Sequence, residues 1–154
     1  MKQKCIALVI GILCCATVGF AQKVKHPSLL YAPERIESVK QRMQDEPKLA
    51  EAWEDIRQVA EKELQGKNLN KADYLSLAYL MTGDKRYAGK LKEILLQTVK
   101  AETWGSSEML ARKPVWRADL GVAHKAYLSA IAYDAVYNDL SASERKEIAK
   151  GLYR

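Results

Sequence analysis

Cysteine is confined to the start of this chain, because Cys5, Cys14 and Cys15 all precede residue 22. Phenylalanine is almost as scarce, since Phe20 is the single one, and histidine occurs only twice. Without residues 1–21 the chain has no thiol, which excludes a disulfide framework, a nucleophilic cysteine and a cysteine-ligated zinc site. The sequence also lacks a glycine-rich phosphate loop, a nucleophile-elbow serine and a His-Glu metal motif, so we expect no metal and no cofactor.

The N-terminus has the layout of a secretory signal peptide. Met1–Lys4 contains two lysines, and the sixteen residues Cys5–Phe20 are uncharged. Gly19 and Ala21 are small residues at the positions that precede a cleavage site, so we expect residues 1–21 to be removed. A membrane anchor is the alternative, but sixteen residues fall short of the roughly twenty that span a bilayer. The prediction is a periplasmic or secreted protein without a membrane span after cleavage.

The charge balance is mildly basic. The chain has 25 Lys and Arg against 19 Asp and Glu, and removal of Lys2 and Lys4 leaves 23 against 19, a net charge of +4. Basic and acidic residues are interspersed, as in Asp84-Lys85-Arg86, so the sequence has no basic stripe of the kind that binds nucleic acid. An excess of this size is compatible with an anionic partner. We therefore expect no nucleic-acid partner, whereas an acidic polysaccharide remains possible.

The chain from Pro33 onward has the periodicity of helices, and no strand-like alternation is present. Helices are predicted to begin near Pro33, Pro47, Asn70, Asp84, Ala118 and Ser141. The third and fifth are apolar nearly all round and are expected to be buried, whereas the second, fourth and sixth each have one apolar face. Gly66 and Gly83 predict helix ends, and Ser141–Glu144 predicts a capping box. The alternation indicates an all-α fold of layered antiparallel helical hairpins.

The sixth helix has no stop signal before Arg154, which predicts that the domain continues beyond this residue. Six such helices form only an arc of hairpins and leave the next stacking face uncovered. We therefore expect residues 22–154 to be the N-terminal segment of a larger helical domain. The alternative is a complete small bundle whose last helix frays at its end.

The segment Trp104–Arg117 interrupts the helical pattern with glycine, proline and serine residues, and it is predicted to be a long ordered loop. Such loops often carry function. Trp104 and Trp116 bracket the loop and are candidate ligand contacts, as is Arg117, whose guanidinium can bind a carboxylate or sulfate through two hydrogen bonds. Asp119 is a further candidate, with a helix cap or an ion pair to Arg117 as its alternatives.

The remaining titratable candidates have structural interpretations. His26 precedes Pro27 and is predicted to be an exposed loop residue. His124 on the fifth helix is predicted to be a hydrogen-bonded or helix-end histidine, with the lining of a ligand cleft as the alternative. Asp134 lies on an apolar helix and is predicted to be a structural carboxylate with satisfied hydrogen bonds. After cleavage the aromatic residues are eight tyrosines and three tryptophans, so every ring has a polar group, which suits a sugar-binding site.

Four motifs along the chain share a pattern with one enzyme family. They are HPSLLY at 26–31, YLMTGD at 79–84, WRADLG at 116–121 and AYDAVY at 132–137. In these motifs the chain resembles the start of a heparinase II/III-type polysaccharide lyase. The similarity spans nearly all of the chain after the signal peptide, and it rests mostly on packing, capping and turn residues.

The resemblance implies a secreted bacterial enzyme with an incomplete α/α toroid of stacked helical hairpins, followed by β-sandwich domains. Such lyases cleave uronic-acid-containing polysaccharides of the heparan or alginate type by β-elimination, in which a Tyr or His base removes the proton beside the uronate carboxylate. In the family the Asn, His and Tyr that perform this step belong to later helices and the following domain, so none is transferred to this chain. Trp104, Trp116, Arg117 and Asp119 are then expected at most to contact substrate.

Two other function classes remain open from the sequence. One is a non-catalytic extracellular helical-hairpin module that binds glycan or protein. The other is a glycoside hydrolase with a helical toroid, which would need two carboxylates that converge on one cleft.

Overall fold

A computed structural model describes residues 24–66 and 69–153, and the predicted signal peptide lies outside these residues. Within them the fold consists of seven α-helices and two 3-10 turns, without a strand. The helices are α1 Pro33–Asp45, α2 Pro47–Glu63, α3 Ala72–Thr82, α4 Lys85–Thr98, α5 Ser107–Ala111, α6 Leu120–Val136 and α7 Ala142–Leu152. The 3-10 turns are Leu69–Lys71 and Tyr137–Asp139. For this part of the chain the all-α prediction is confirmed, and no helix in it is both long and apolar enough to cross a membrane.

The turn between α3 and α4 forms as its residues predict. Gly83 has a φ of 73°, a left-handed conformation that glycine adopts without steric cost, and its N–H donates to the carbonyl oxygen of Tyr79 at 2.7 Å. Asp84 then caps α4, because its Oδ1 accepts the backbone N–H of Arg86 at 2.9 Å. Two residues therefore suffice to end one helix and begin the next.

Two predicted helix boundaries are wrong. Asn70 was expected to cap the third helix, but it lies within the 3-10 turn, and α3 begins at Ala72. The extra turn is accounted for by Leu69, which is only 7% exposed and belongs to the hydrophobic core. Gly66 was expected to end the second helix, whereas α2 ends three residues earlier, at Glu63.

The core is centred on α3, which contacts α2, α4 and α6. Small residues with no exposed surface, such as Ala72, Ala78 and Ala132, let these helices approach closely. The fully buried large side chains are Leu75, Tyr87, Leu91, Leu95, Leu128, Val136 and Ile148. Since they come from α3, α4, α6 and α7, one continuous core joins the second half of the chain to its centre.

The prediction of burial all round is wrong for the first half of α6. Leu120 is 90% exposed and Tyr127 is 50% exposed, whereas Leu128 and Val136 in the second half are buried. The second half packs in the core, and the first half projects beyond it. The first half of α6 is therefore an apolar stretch that the core does not cover, and it lies beside the segment that follows α4.

Gly151 fixes the position of α7 against the end of α4. A Cβ atom at Gly151 would lie 2.3 Å from Val99 Cβ, whereas one at Gly89, in the exposed part of α4, would have no neighbour within 4 Å. We predict that Gly151→Ala lowers the free energy of unfolding by about 1–3 kcal/mol through overpacking. The matched Gly89→Ala should raise it by about 0.5–1 kcal/mol, since alanine favours the helix. Urea unfolding of both variants measures the difference, and a stabilised Gly151→Ala would contradict the close approach.

The N-terminus of α7 depends on an ionised Glu144. Its carboxylate lies 2.6 Å from Lys92 Nζ on α4 and also accepts the backbone N–H of Ser141, completing the predicted capping box. The hydrogen bond from Lys92, followed by that from Ser141, lowers the pKa of Glu144 from 4.5 to about 2. Because the pKa is depressed in the folded state, this stabilisation is complete above pH 4.5 and is lost as the pH falls towards 2.

Glu144→Gln isolates this contribution, since glutamine retains the capping box but has no charge. We predict that the variant is less stable than the wild type at pH 6 and that the difference in free energy of unfolding shrinks between pH 4.5 and pH 2. Denaturant titrations at several pH values measure it. A difference that stays constant over this range would show that the charge of Glu144 does not contribute.

Candidate functional site

The segment Trp104–Arg117 is ordered by its own short helix, which sequence reasoning missed. Ser106 caps α5 by accepting the backbone N–H of Met109 at 3.2 Å, and Met109 is only 6% exposed. The backbone N–H of Trp116 then donates to the carbonyl oxygen of Met109 at 3.2 Å, which draws the end of the segment back to α5. The predicted long loop is therefore two short stretches around one helical turn.

A cavity of about 400 Å³ lies between this segment, the exposed first half of α6 and the end of α7. We call it the loop cavity. Its residues from the segment and the preceding turn are Ala101, Glu102, Thr103, Trp104, Leu110 and Arg117, and those from the helices are Val122, Ala126, Gly151 and Leu152. One wall therefore carries polar and charged groups, and the opposite wall is apolar.

Trp104 is held in place at both its side chain and its backbone. The indole Nε1 donates to the carbonyl oxygen of Thr98 at 3.2 Å, and Lys125 Nζ donates to the carbonyl oxygen of Trp104 at 3.2 Å. The first hydrogen bond anchors the ring to the end of α4, and the second ties the segment to α6. The ring thus forms a fixed part of the cavity wall.

Arg117 contributes the positive charge of the loop cavity. Among the residues that the structure describes, no carboxylate lies within 4.0 Å of its guanidinium, so the alternative of an ion pair with Asp119 is not realised. Asp119 instead caps α6, since its Oδ1 accepts the backbone N–H of Val122 at 2.7 Å. The cap interpretation of Asp119 is confirmed, and its carboxylate is not part of the cavity wall.

Trp116 lies outside the loop cavity. Its ring is 48% exposed, and the guanidinium of Arg112 lies 4.0 Å from the ring centroid in a cation–π contact. Glu108 is 3.9 Å from Arg112, at the limit of an ion pair. Of the four candidate contacts predicted from the sequence, the structure brings Trp104 and Arg117 together and leaves Trp116 and Asp119 in other roles.

The prediction for His26 is wrong, because its side chain is only 22% exposed and pairs with a buried carboxylate. His26 Nδ1 lies 2.6 Å from Asp134 Oδ1, and the backbone N–H groups of Ser28 and Leu29 each donate to Asp134 Oδ2 at 2.8 Å. The structural interpretation of Asp134 is thus confirmed. His26 and Asp134 are 108 residues apart, and no local sequence signal indicates that they meet.

His124 is exposed on the first half of α6, which projects beyond the core. It does not line the loop cavity, nor does it line a second, smaller pocket that lies beside His26. Its ring stacks loosely on Tyr127, with 6.5 Å between the centroids. No hydrogen bond to His124 is found in residues 24–66 and 69–153; as the fifth residue of α6 it lies near the N-terminus of that helix, which agrees with the helix-end interpretation and not with the hydrogen-bonded one. Within these ranges there is also no group of three or more side chains placed to hold a metal ion.

Comparisons with protein-family models and with curated proteins found no match to this chain.

Proposed function

We propose that this chain is the N-terminal helical segment of a secreted polysaccharide lyase and that its loop cavity binds a uronate unit of an acidic glycan. The observation that carries the proposal is the pairing of Trp104 and Arg117 in one cavity, with no carboxylate partner for Arg117 in the described part of the chain. The volume of about 400 Å³ falls in the range of small-molecule sites.

The cavity offers the groups that an acidic sugar needs. The guanidinium of Arg117 can donate two parallel hydrogen bonds to a carboxylate. The rigid indole of Trp104 gives the sugar ring an apolar surface, and Glu102 and Thr103 on the same wall can bond its hydroxyl groups. One cation and one anion in a single cavity favour a ligand whose carboxylate is at one side and whose hydroxyls are at the other.

The surroundings of the loop cavity are basic. The segment and the helix that border it contain Arg112, Lys113 and Lys125. Glu108 lies 3.9 Å from Arg112, at the distance limit of an ion pair. A positive border raises the local concentration of a polyanion and steers it towards the cavity, an effect that salt weakens. Residues 101–125 contain four basic side chains against the three acidic ones Glu102, Glu108 and Asp119, so the local excess is +1 and the expected steering is modest.

The packing of the helices supports the proposed arrangement of hairpins in part of an α/α toroid. The apolar helices α3 and α6 lie inside, and the amphipathic helices α2, α4 and α7 pack around them. The first half of α6 is mostly apolar but remains exposed, as in an arc of helices with an open stacking face. In this proposal the chain supplies binding surface, and the groups that perform the elimination are not among its described residues.

Binding of an acidic oligosaccharide tests the role of Arg117. We predict that Arg117→Ala weakens the affinity for heparan or alginate oligosaccharides about ten- to hundredfold, since a hydrogen bond to a charged group is worth about 1.5–3 kcal/mol. Isothermal titration of the purified chain measures the dissociation constant. Affinity should also fall as the salt concentration rises, and a neutral glucan should not bind.

Arg35→Ala is the matched control, because Arg35 lies on α1, is exposed and changes the net charge by the same amount. It should leave the affinity nearly unchanged. Equal losses of affinity in both variants would show that the effect depends only on net charge, and this would contradict a site at Arg117. Binding that persists in Arg117→Ala at wild-type strength would contradict the proposal directly.

The proposal that this chain binds the glycan without cleaving it gives a second prediction. The purified chain should bind heparan, chondroitin or alginate chains without forming unsaturated uronate, since no tyrosine or histidine of its described residues lines the loop cavity to act as the base of the elimination. Ultraviolet absorbance of the unsaturated product measures turnover. Measurable lyase activity would overturn the assignment of binding without elimination, and release of reducing sugar without an unsaturated product would indicate a hydrolase.

A further inference from the structure

We propose that the pocket beside His26 is a second site, independent of the function proposed above, and that it binds an aromatic alcohol whose hydroxyl donates to His26 Nε2. The pocket has a volume of about 280 Å³ and lies between the segment before α1, the buried half of α6 and the end of α7. No residue of the loop cavity except Leu152 contributes to it.

Asp134 determines which nitrogen of His26 is available. Its side chain is 5% exposed, and both of its oxygens accept hydrogen bonds: one from His26 Nδ1 and the other from two backbone N–H groups. The two backbone N–H groups can only donate, so the carboxylate accepts at Oδ2, and its Oδ1 can in the same way accept from His26 Nδ1. When Nδ1 of a neutral imidazole donates, the lone pair of the ring is on Nε2.

The ring is also fixed in orientation. His26 stacks on Tyr137, with 3.8 Å between centroids and 24° between planes, and Asn138 Nδ2 donates to the His26 carbonyl oxygen at 2.9 Å. Among the side-chain nitrogen and oxygen atoms described, only Ser129 Oγ is both buried and without a partner. His26 Nε2 has no hydrogen bond in the described residues and is not among their buried unpartnered atoms, so it keeps some solvent access in a side chain that lines the pocket.

The walls of the pocket define the ligand. Leu29, Ala130, Ala149 and Leu152 are apolar, and Tyr133 and Tyr153 add aromatic surface. A mainly apolar pocket with one oriented acceptor at its end favours a flat ring that carries a single hydroxyl group. If Asp134 merely fastened the backbone of residues 28 and 29, the two backbone hydrogen bonds would suffice, and the oriented imidazole would have no role.

Chemical modification distinguishes an activated imidazole from a structural one. Diethyl pyrocarbonate reacts when the unprotonated imidazole nitrogen attacks its carbonyl carbon; that nitrogen gains an ethoxycarbonyl group, the other ring nitrogen gives up its proton, and ethanol and carbon dioxide are released. Exposure alone predicts that His124 reacts faster, because His26 is only 22% exposed. We expect the opposite order at pH 8: His26 should react about tenfold faster, since Asp134 increases the nucleophilicity of Nε2.

Mass spectrometry of the full purified chain measures both histidines in one sample, so His124 serves as the internal reference. Asp134→Asn should reduce the rate at His26 to that of His124 or below, and Asp139→Asn, which removes a carboxylate that does not contact His26, should leave it unchanged. Faster modification in Asp134→Asn would show that the pairing only shields His26, and it would overturn the proposal.

The ligand class is tested on the wild-type chain and does not depend on a variant that folds. We expect 4-methylphenol to slow modification of His26 but not of His124, and toluene, which has the same ring without the hydroxyl, to protect neither. Protection by both compounds, or by neither, would overturn the assignment of a hydroxyl bound to Nε2. A His26 that reacts more slowly than His124 would do the same.

Discussion

The burial of α3 is the constraint on which the rest of the structure depends. This helix has no polar face: Leu75 and Ala78 are fully buried, and so is Ser76, whose hydroxyl donates to the carbonyl oxygen of Ala72. A helix of this kind is stable only when other helices cover most of its surface; α2, α4 and α6 pack against α3, and Tyr74, Leu77 and Leu80 stay partly exposed. The two-residue turn at Gly83 places α4 directly against α3. Helix α6 then packs on the surface of α3 that α4 leaves uncovered.

Covering α3 uses only part of α6 and thereby creates the loop cavity. The second half of α6 lies in the core, and its first half extends past α3 and α4 into the region of the segment after α4. The end of α7 closes the cavity from the other side, because Gly151 permits backbone contact at Val99 and the ion pair between Glu144 and Lys92 holds the start of the helix. The site that we propose for a glycan is thus a consequence of core packing, and its charged wall is added by the segment itself.

Local signals in the sequence predicted six of the seven helices in the described residues, whereas α5 and the contacts between distant residues were not predicted. The turn at Gly83, the cap at Asp119 and the capping box at Ser141 each involve residues within four positions, so their chemistry can be read from the sequence. The periodicity of α6 could not show that its first half is exposed, since an apolar residue looks the same whether or not a neighbour covers it. The pairing of His26 with Asp134 joins segments whose proximity only the folded chain determines.

The two carboxylates of α6 also bear on which chemistry the chain can perform. A glycoside hydrolase needs two carboxyl groups that flank one bond, one of them free to give up a proton. Asp119 is engaged by the backbone of its own helix, and Asp134 by His26 and two backbone N–H groups on the other side of the molecule. In the described residues that leaves Glu102 as the one carboxylate on the wall of the loop cavity. Within the described residues the loop cavity therefore lacks the second carboxyl group that hydrolysis by paired carboxylates requires, and what its wall offers is one carboxylate, one unpaired guanidinium and a fixed indole.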